Sequence, residues 1–158
     1  AEDGGWSPQL NLGAAVMSPE TYVGDLNLRM ALYRRIAELE DRAAIDALGA
    51  ELIDRFGPLP EAVGHLLKII EIKQLSKAAG IERIEAGAKG ITVSFKDNRF
   101  ANPAGLVAFL SKQSGAAKLR PDHKLVMLSR LDDLPRRMQA VLALARALAK
   151  AARLDAAA

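Results

Sequence analysis

The sequence predicts an α+β fold in which helices pack on a small antiparallel sheet built from hairpins, as a single domain behind an N-terminal linker. Three observations carry this expectation. Apolar residues recur at helical spacing between Asp25 and Gly80 and again after Asp133. Between those stretches, short alternating runs are split by turn residues at Gly87 to Gly90 and at Pro121-Asp122. The helices and strands cluster instead of alternating one by one, and short connections favour antiparallel pairing over crossovers.

Each element has its own signal. Residues 1–17 are rich in Gly, Ser, Pro and Asn and read as a linker, although Trp6 and Leu10 to Leu12 could dock on something. Leu28, Leu32, Ile36 and Leu39 form a helical stripe behind Asp25, a suitable N-cap. Arg29, Arg34, Arg35 and Glu38 fall on its other sides. Asp41 caps a second helix with Ile45, Leu48, Leu52 and Phe56 inside, and Gly57-Pro58 stops it. Pro60-Glu61 opens a third helix carrying Val63, Leu66, Leu67, Ile70 and Leu75, and Gly80 ends it. The period then changes. Ile91, Val93 and Phe95 alternate with Thr92 and Ser94, a half-buried strand paired with the Ile81 to Glu85 segment. Asn102-Pro103 starts a fourth helix with Leu106, Val107, Phe109 and Leu110. Lys118 to Arg120 and Leu125 to Leu128 make a second hairpin. Asp132 or Asp133 caps the last helix, whose inner stripe is Leu134, Met138, Val141, Leu142, Ala145 and Leu148.

Composition excludes several functions. The 158 residues are 50% hydrophobic, which excludes disorder along the whole chain. No cysteine is present, so thiolate metal sites, disulfides and cysteine nucleophiles are excluded. Aromatics at 4% are too few for a base-stacking platform. The opening Ala1-Glu2-Asp3-Gly4-Gly5 lacks the pattern of a secretory leader. The most apolar run, Val141 to Ala149, is too short to span a bilayer. A cytoplasmic setting without membrane contact is expected. There is no GxxxxGK[ST], GxGxxG or GxSxG motif, and His65 and His123 are not in metal-ligand spacing. No catalytic, cofactor-binding or metal site is therefore assigned, and no enzyme activity is expected of this chain.

Two surfaces remain. At 100° per residue, Glu51 and Asp54 stand on the outer side of the second helix above Ala43, Ala47 and Ala50. Such a face is either an ordinary solvated surface or a place where arginines can dock on carboxylates. Arg55, one turn after Glu51, relieves part of the repulsion between the acids. The second surface is basic. Residues 111–158 hold ten Lys/Arg against four Asp/Glu, whereas the rest of the chain holds twelve against fifteen. Arg130, Arg136, Arg137, Arg146, Lys150 and Arg153 could contact phosphates, or could simply solubilise an Ala-rich helix.

One pattern is more specific. Tyr22-Val23, the run from Leu26 to Ile36, and above all Glu51-Leu-Ile-Asp-Arg-Phe-Gly57 resemble the C-terminal (TRCF) domain of the bacterial transcription-repair coupling factor. The Asn102-Pro103 helix start and the Leu119 to Leu128 segment fit as well, so the resemblance covers roughly residues 18–150. It implies that residues 1–17 connect to a preceding motor domain and that residues 18–158 form an autoinhibitory domain. The parent it implies is an ATP-driven DNA translocase that removes stalled RNA polymerase from damaged DNA and recruits UvrA. The C-terminal domain would then dock on the parent's UvrB-like module and mask its UvrA-binding surface. Carried onto this chain, the docking residues are Glu51 and Asp54, with Arg55 and Leu52 beside them. The motor and both partner modules are absent from these residues.

Overall fold

The computed structural model describes residues 6–13 and 23–157. Tyr22 and the expected boundary at residues 17 and 18 lie outside the described residues. The chain divides into two compact units, Ala15–Gln74 and Ala1–Ala14 with Leu75–Ala158.

The first unit is helical. Helix α1 spans Leu26–Ala37, α2 spans Arg42–Phe56, and α3 spans Glu61–Ala79, with its last turn belonging to the other unit. The expected caps are in place. Asp25 accepts a hydrogen bond from Leu28 N at 3.0 Å, and Asp41 accepts one from Ala44 N at 2.8 Å. Each satisfies a donor that the first turn leaves without an intrahelical partner. Gly57 ends α2 with φ +91°, a conformation that costs glycine little. Val23, Leu32, Ile45, Leu48, Leu52, Val63 and Leu67 make the core, with Ile36, Leu39, Phe56, Leu59 and Ile70 packed around it. Polar ties hold the ends: Gln74 Nε2 donates to Leu39 O at 2.8 Å, and Arg42 reaches the buried Glu71 carboxylate at 3.1 Å. Leu28, expected inside, is 43% exposed. It borders a small hollow beside Arg35 and Arg55, whose charged ends keep the core from closing over it.

The second unit is α+β. Strands β1 (Gln9–Asn11), β2 (Ile81–Gly87), β3 (Gly90–Phe95), β4 (Ala117–Leu119) and β5 (Leu125–Leu128) form one sheet in the order β1-β2-β3-β5-β4. Both expected hairpins are present, and antiparallel β3–β5 pairing joins them through Ile91↔Met127 and Val93↔Leu125. Gly90 permits that junction: its φ is +153°, and a Cβ would lie 2.2 Å from Met127 O. The antiparallel sheet expected from the hairpins gains one parallel strand. Strand β1 adds to β2 in parallel, with Leu10 opposite Ile84, so the sheet is mixed. The three residues of β1 fall in the segment read as a linker. Leu12 beside them is buried, Arg137 donates to Leu12 O at 3.1 Å, and Trp6 lies under Lys77 and Lys96. The surface that Trp6 and Leu10 to Leu12 meet, left open by the sequence, is the sheet edge at β2 with Arg137, Lys77 and Lys96.

Helix α5 (Leu134–Ala157) packs on β2 and against helix α4 (Pro103–Ser111), and the buried face of the sheet presents Ile84, Ile91, Val93, Phe95 and Leu125. Of the two candidate caps for α5, Asp133 makes the bond, accepting from Arg136 N at 2.8 Å. Met138, Val141, Leu142, Ala145 and Leu148 are buried as the stripe requires. The buried Asn102 has two roles: its Oδ1 accepts from Gly105 N at 3.1 Å, and its Nδ2 donates to Ala151 O at 2.9 Å. The cap of α4 is therefore also a bond to α5. Among the described residues, no helix is long and apolar enough to cross a membrane.

Candidate docking face on α2

The heptapeptide Glu51 to Gly57 forms the last turns of α2 and its stop, and the helix turns its members to different sides. Leu52 points inward and is 2% exposed, in agreement with the wheel. Phe56 is half-buried on the same side. Ala43, Ala47, Ala50, Ile53 and Asp54 are exposed and make a shallow outer surface. Large side chains are missing from most of it because alanine dominates this face, which suits close approach by another surface.

Glu51 sits at the margin of that surface, not on top of it. Its carboxylate takes two hydrogen bonds from the Arg35 guanidinium on α1, with Arg35 Nη2 donating to Oε1 at 3.1 Å and Nη1 donating to Oε2. Arg55 Nη1 approaches the same Oε2 at 3.5 Å, and its guanidinium stands 5.1 Å from the Phe56 ring centroid. The hydrogen bonds from Arg35 hold the Glu51 carboxyl below the ordinary carboxylate range, against the opposing effect of partial dehydration. The same bonds raise the Arg35 guanidinium. Val23, Leu28, Leu32, Leu52 and Phe56 line a hollow of about 50 Å³ beneath this arginine–glutamate–arginine group. Asp54 differs. It is exposed, and no cation among the described residues pairs with it.

The chain therefore brings Glu51, Asp54 and Arg55 to one surface and places Leu52 beneath it. Reading the helix in isolation missed Arg35, because a wheel shows one helix and the partner of Glu51 lies on another. The only sequence signal was the pair Arg34-Arg35 on the non-core side of α1.

The basic residues are dispersed in role. Arg130 pairs with Asp132 at 3.1 Å and Arg136 with Asp133 at 3.6 Å. Arg137 is committed to the fold, donating to Leu131 O at 2.9 Å as well as to Leu12 O. Arg146, Lys150 and Arg153 are exposed along the outer stripe of α5. His65 is buried with Nε2 3.6 Å from Glu61, and His123 sits exposed in the β4–β5 turn. Among the described residues, no group of His, Asp and Glu side chains is placed to hold a metal ion.

Comparison with known proteins places this architecture. A crystal structure of the C-terminal domain of a transcription-repair coupling factor superposes with a TM-score of 0.71, covering 94% of this chain and 95% of that one at 20% identity, which establishes the fold. The chain belongs to the TRCF domain family, whose model matches residues 12–106. Among similar proteins, the transcription-repair-coupling factor of Rickettsia bellii is 39% identical over 125 residues, 78% of this chain and 11% of that protein. That of Haemophilus influenzae is 34% identical over 140 residues, 89% of this chain and 12% of that protein. The Escherichia coli protein is 30% identical over 131 residues, 83% of this chain and 11% of that protein. The chain thus spans about a tenth of the length of these relatives.

Proposed function

We propose that this chain is the regulatory C-terminal domain of a transcription-repair coupling factor. It docks on the UvrB-like module of the same parent and masks that module's UvrA-binding surface. Release follows when the parent's ATP-driven motor engages stalled RNA polymerase on damaged DNA. The observation that carries this reading is Asp54, an exposed carboxylate with no paired cation among the described residues, standing over a shallow alanine surface. An incoming arginine meets Asp54 without displacing any existing partner. Glu51 has a different part: Arg35 and Arg55 fix its carboxylate at the rim, and an arriving arginine must share it. Exposed ion pairs contribute about 0–1 kcal/mol each, so such a contact is weak between separate chains. Within one chain it is strengthened by high effective concentration, which makes it both closed at rest and readily opened.

The test is a charge swap. Asp54→Arg weakens binding of the separately supplied UvrB-like module, and an Arg→Asp change on the facing surface of that module restores it. Wild-type affinity in Asp54→Arg removes this face from the mechanism.

A second reading has one observation in its favour: Arg146, Lys150 and Arg153 recur at i, i+4 and i+7 on the exposed side of α5. Such a stripe could contact nucleic-acid phosphates, with affinity that falls steeply as salt rises. Duplex DNA titrated at low salt separates the readings, since a flat titration eliminates this one.

A further inference from the structure

Strand β4 is the last strand of its sheet, and one side of its backbone has no partner among the described residues. Arg120 N donates to Lys124 O at 2.8 Å and Leu128 N donates to Ala116 O at 2.9 Å. In an antiparallel ladder the alternate residues then face the other way. Ala117 and Leu119 accordingly turn their N–H and C=O groups toward the edge, where no backbone group among the described residues meets them; Leu119 is exposed there, whereas Ala117 is buried.

Next to this edge is an apolar groove of about 270 Å³. Phe100, Leu106, Val107, Leu110 and Leu119 line most of it, with Arg99 and His123 at its polar margin. Val107 is 63% exposed and Leu119 is 45% exposed. Residues 96–124, which contain both groove and edge, hold six Lys/Arg against two Asp. One of those acids, Asp122, is already paired with Arg120 at 2.6 Å. Neither Arg99 nor Lys118 has a carboxylate partner among the described residues.

We propose that this edge and groove form a docking site for an extended, acidic segment of a protein partner. The segment adds as a strand to β4 through the free groups of Ala117 and Leu119. An apolar side chain from it enters the groove between Val107 and Leu119, and acids on the other face of the added strand meet Lys118. Charge selects this occupant over a second copy of the chain, because two such basic edges repel one another. The surface is separate from the α2 face and does not depend on the masking role.

The experiment uses the ¹⁵N-labelled chain and a synthetic peptide of alternating Glu and Val or Leu residues. Its controls are a Lys-for-Glu counterpart and a version methylated at alternate backbone amides. The Glu peptide slows hydrogen exchange at the Ala117 and Leu119 amides, and both controls fail to do so. Lys118→Glu weakens the Glu peptide about tenfold, as loss and reversal of a facing charge requires. Val107→Asp, on the exposed side of α4, blocks the groove without touching the strand and abolishes the protection. Unchanged exchange at millimolar Glu peptide overturns the proposal. So does equal binding of the Lys peptide, or protection of the same two amides by duplex DNA in place of the acidic peptide.

Discussion

Replacing Leu52 by alanine separates the structural members of the Glu51 to Gly57 segment from those proposed to dock. Leu52 is 2% exposed and belongs to the helical core, next to the hollow beneath Arg35, Glu51 and Arg55. Truncation removes three carbons, about 2.4 kcal/mol of burial at ~0.8 kcal/mol per methylene. The adjoining hollow gives neighbouring side chains little to collapse against, so a cavity penalty adds to this. The expected loss is about 3 kcal/mol, within the range for a buried leucine. Asp54→Ala touches only the surface and should change stability by less than about 0.5 kcal/mol. Under the proposed docking role its effect falls on binding instead, where losing one charge pair weakens affinity by about fivefold, equivalent to ~1 kcal/mol. Urea denaturation measures the first quantity, with an unchanged slope showing that the unfolded state is unaffected. Calorimetric titration with the UvrB-like module under fully folding conditions measures the second. The reasoning fails if Leu52→Ala costs less than about 1 kcal/mol, or if folded Leu52→Ala loses as much docking affinity as Asp54→Ala.

Three further outcomes follow from the same geometry. The Glu51 carboxyl is lowered in the folded state by its bonds from Arg35, so its contribution is present above the unfolded value of 4.5 and is lost as pH falls through the folded value. The stability difference between wild type and Glu51→Gln, followed by denaturation across pH, should therefore be constant near neutrality and shrink below pH 4.5. Asn102→Ala removes both the α4 cap and the bond to Ala151 O, about 1 kcal/mol each and about 2 kcal/mol together in chemical denaturation. Gly105→Ala places a methyl 2.3 Å from Ala151 O, so α4 and α5 must separate; a loss of about 2 kcal/mol, read as a lower Tm, is expected.

Most of the fold was legible because its signals are local. Asp25, Asp41 and Asn102 each accept the backbone hydrogen bond expected of a cap, and the turns at Gly87 to Gly90 and Pro121-Asp122 set two hairpins. The joining of those hairpins through β3 and β5 was not legible, because it pairs residues more distant in sequence and leaves no periodic mark. Strand β1 was hidden for a related reason: it has only Leu10 as an apolar residue, and its place depends on the unpaired side of β2. At the candidate site, the outward turn of Asp54 and the inward turn of Leu52 follow from helical geometry alone. The engagement of Glu51 by Arg35 and of Arg137 by two backbone carbonyls does not, since each depends on how separate segments come together.

The most direct test of the regulatory role is calorimetric titration of this chain with the UvrB-like module supplied as a separate chain, with UvrA as competitor. The expected result is weak binding that UvrA excludes and that Asp54→Arg weakens further. A ternary complex in which UvrA and this chain occupy the module together would contradict it.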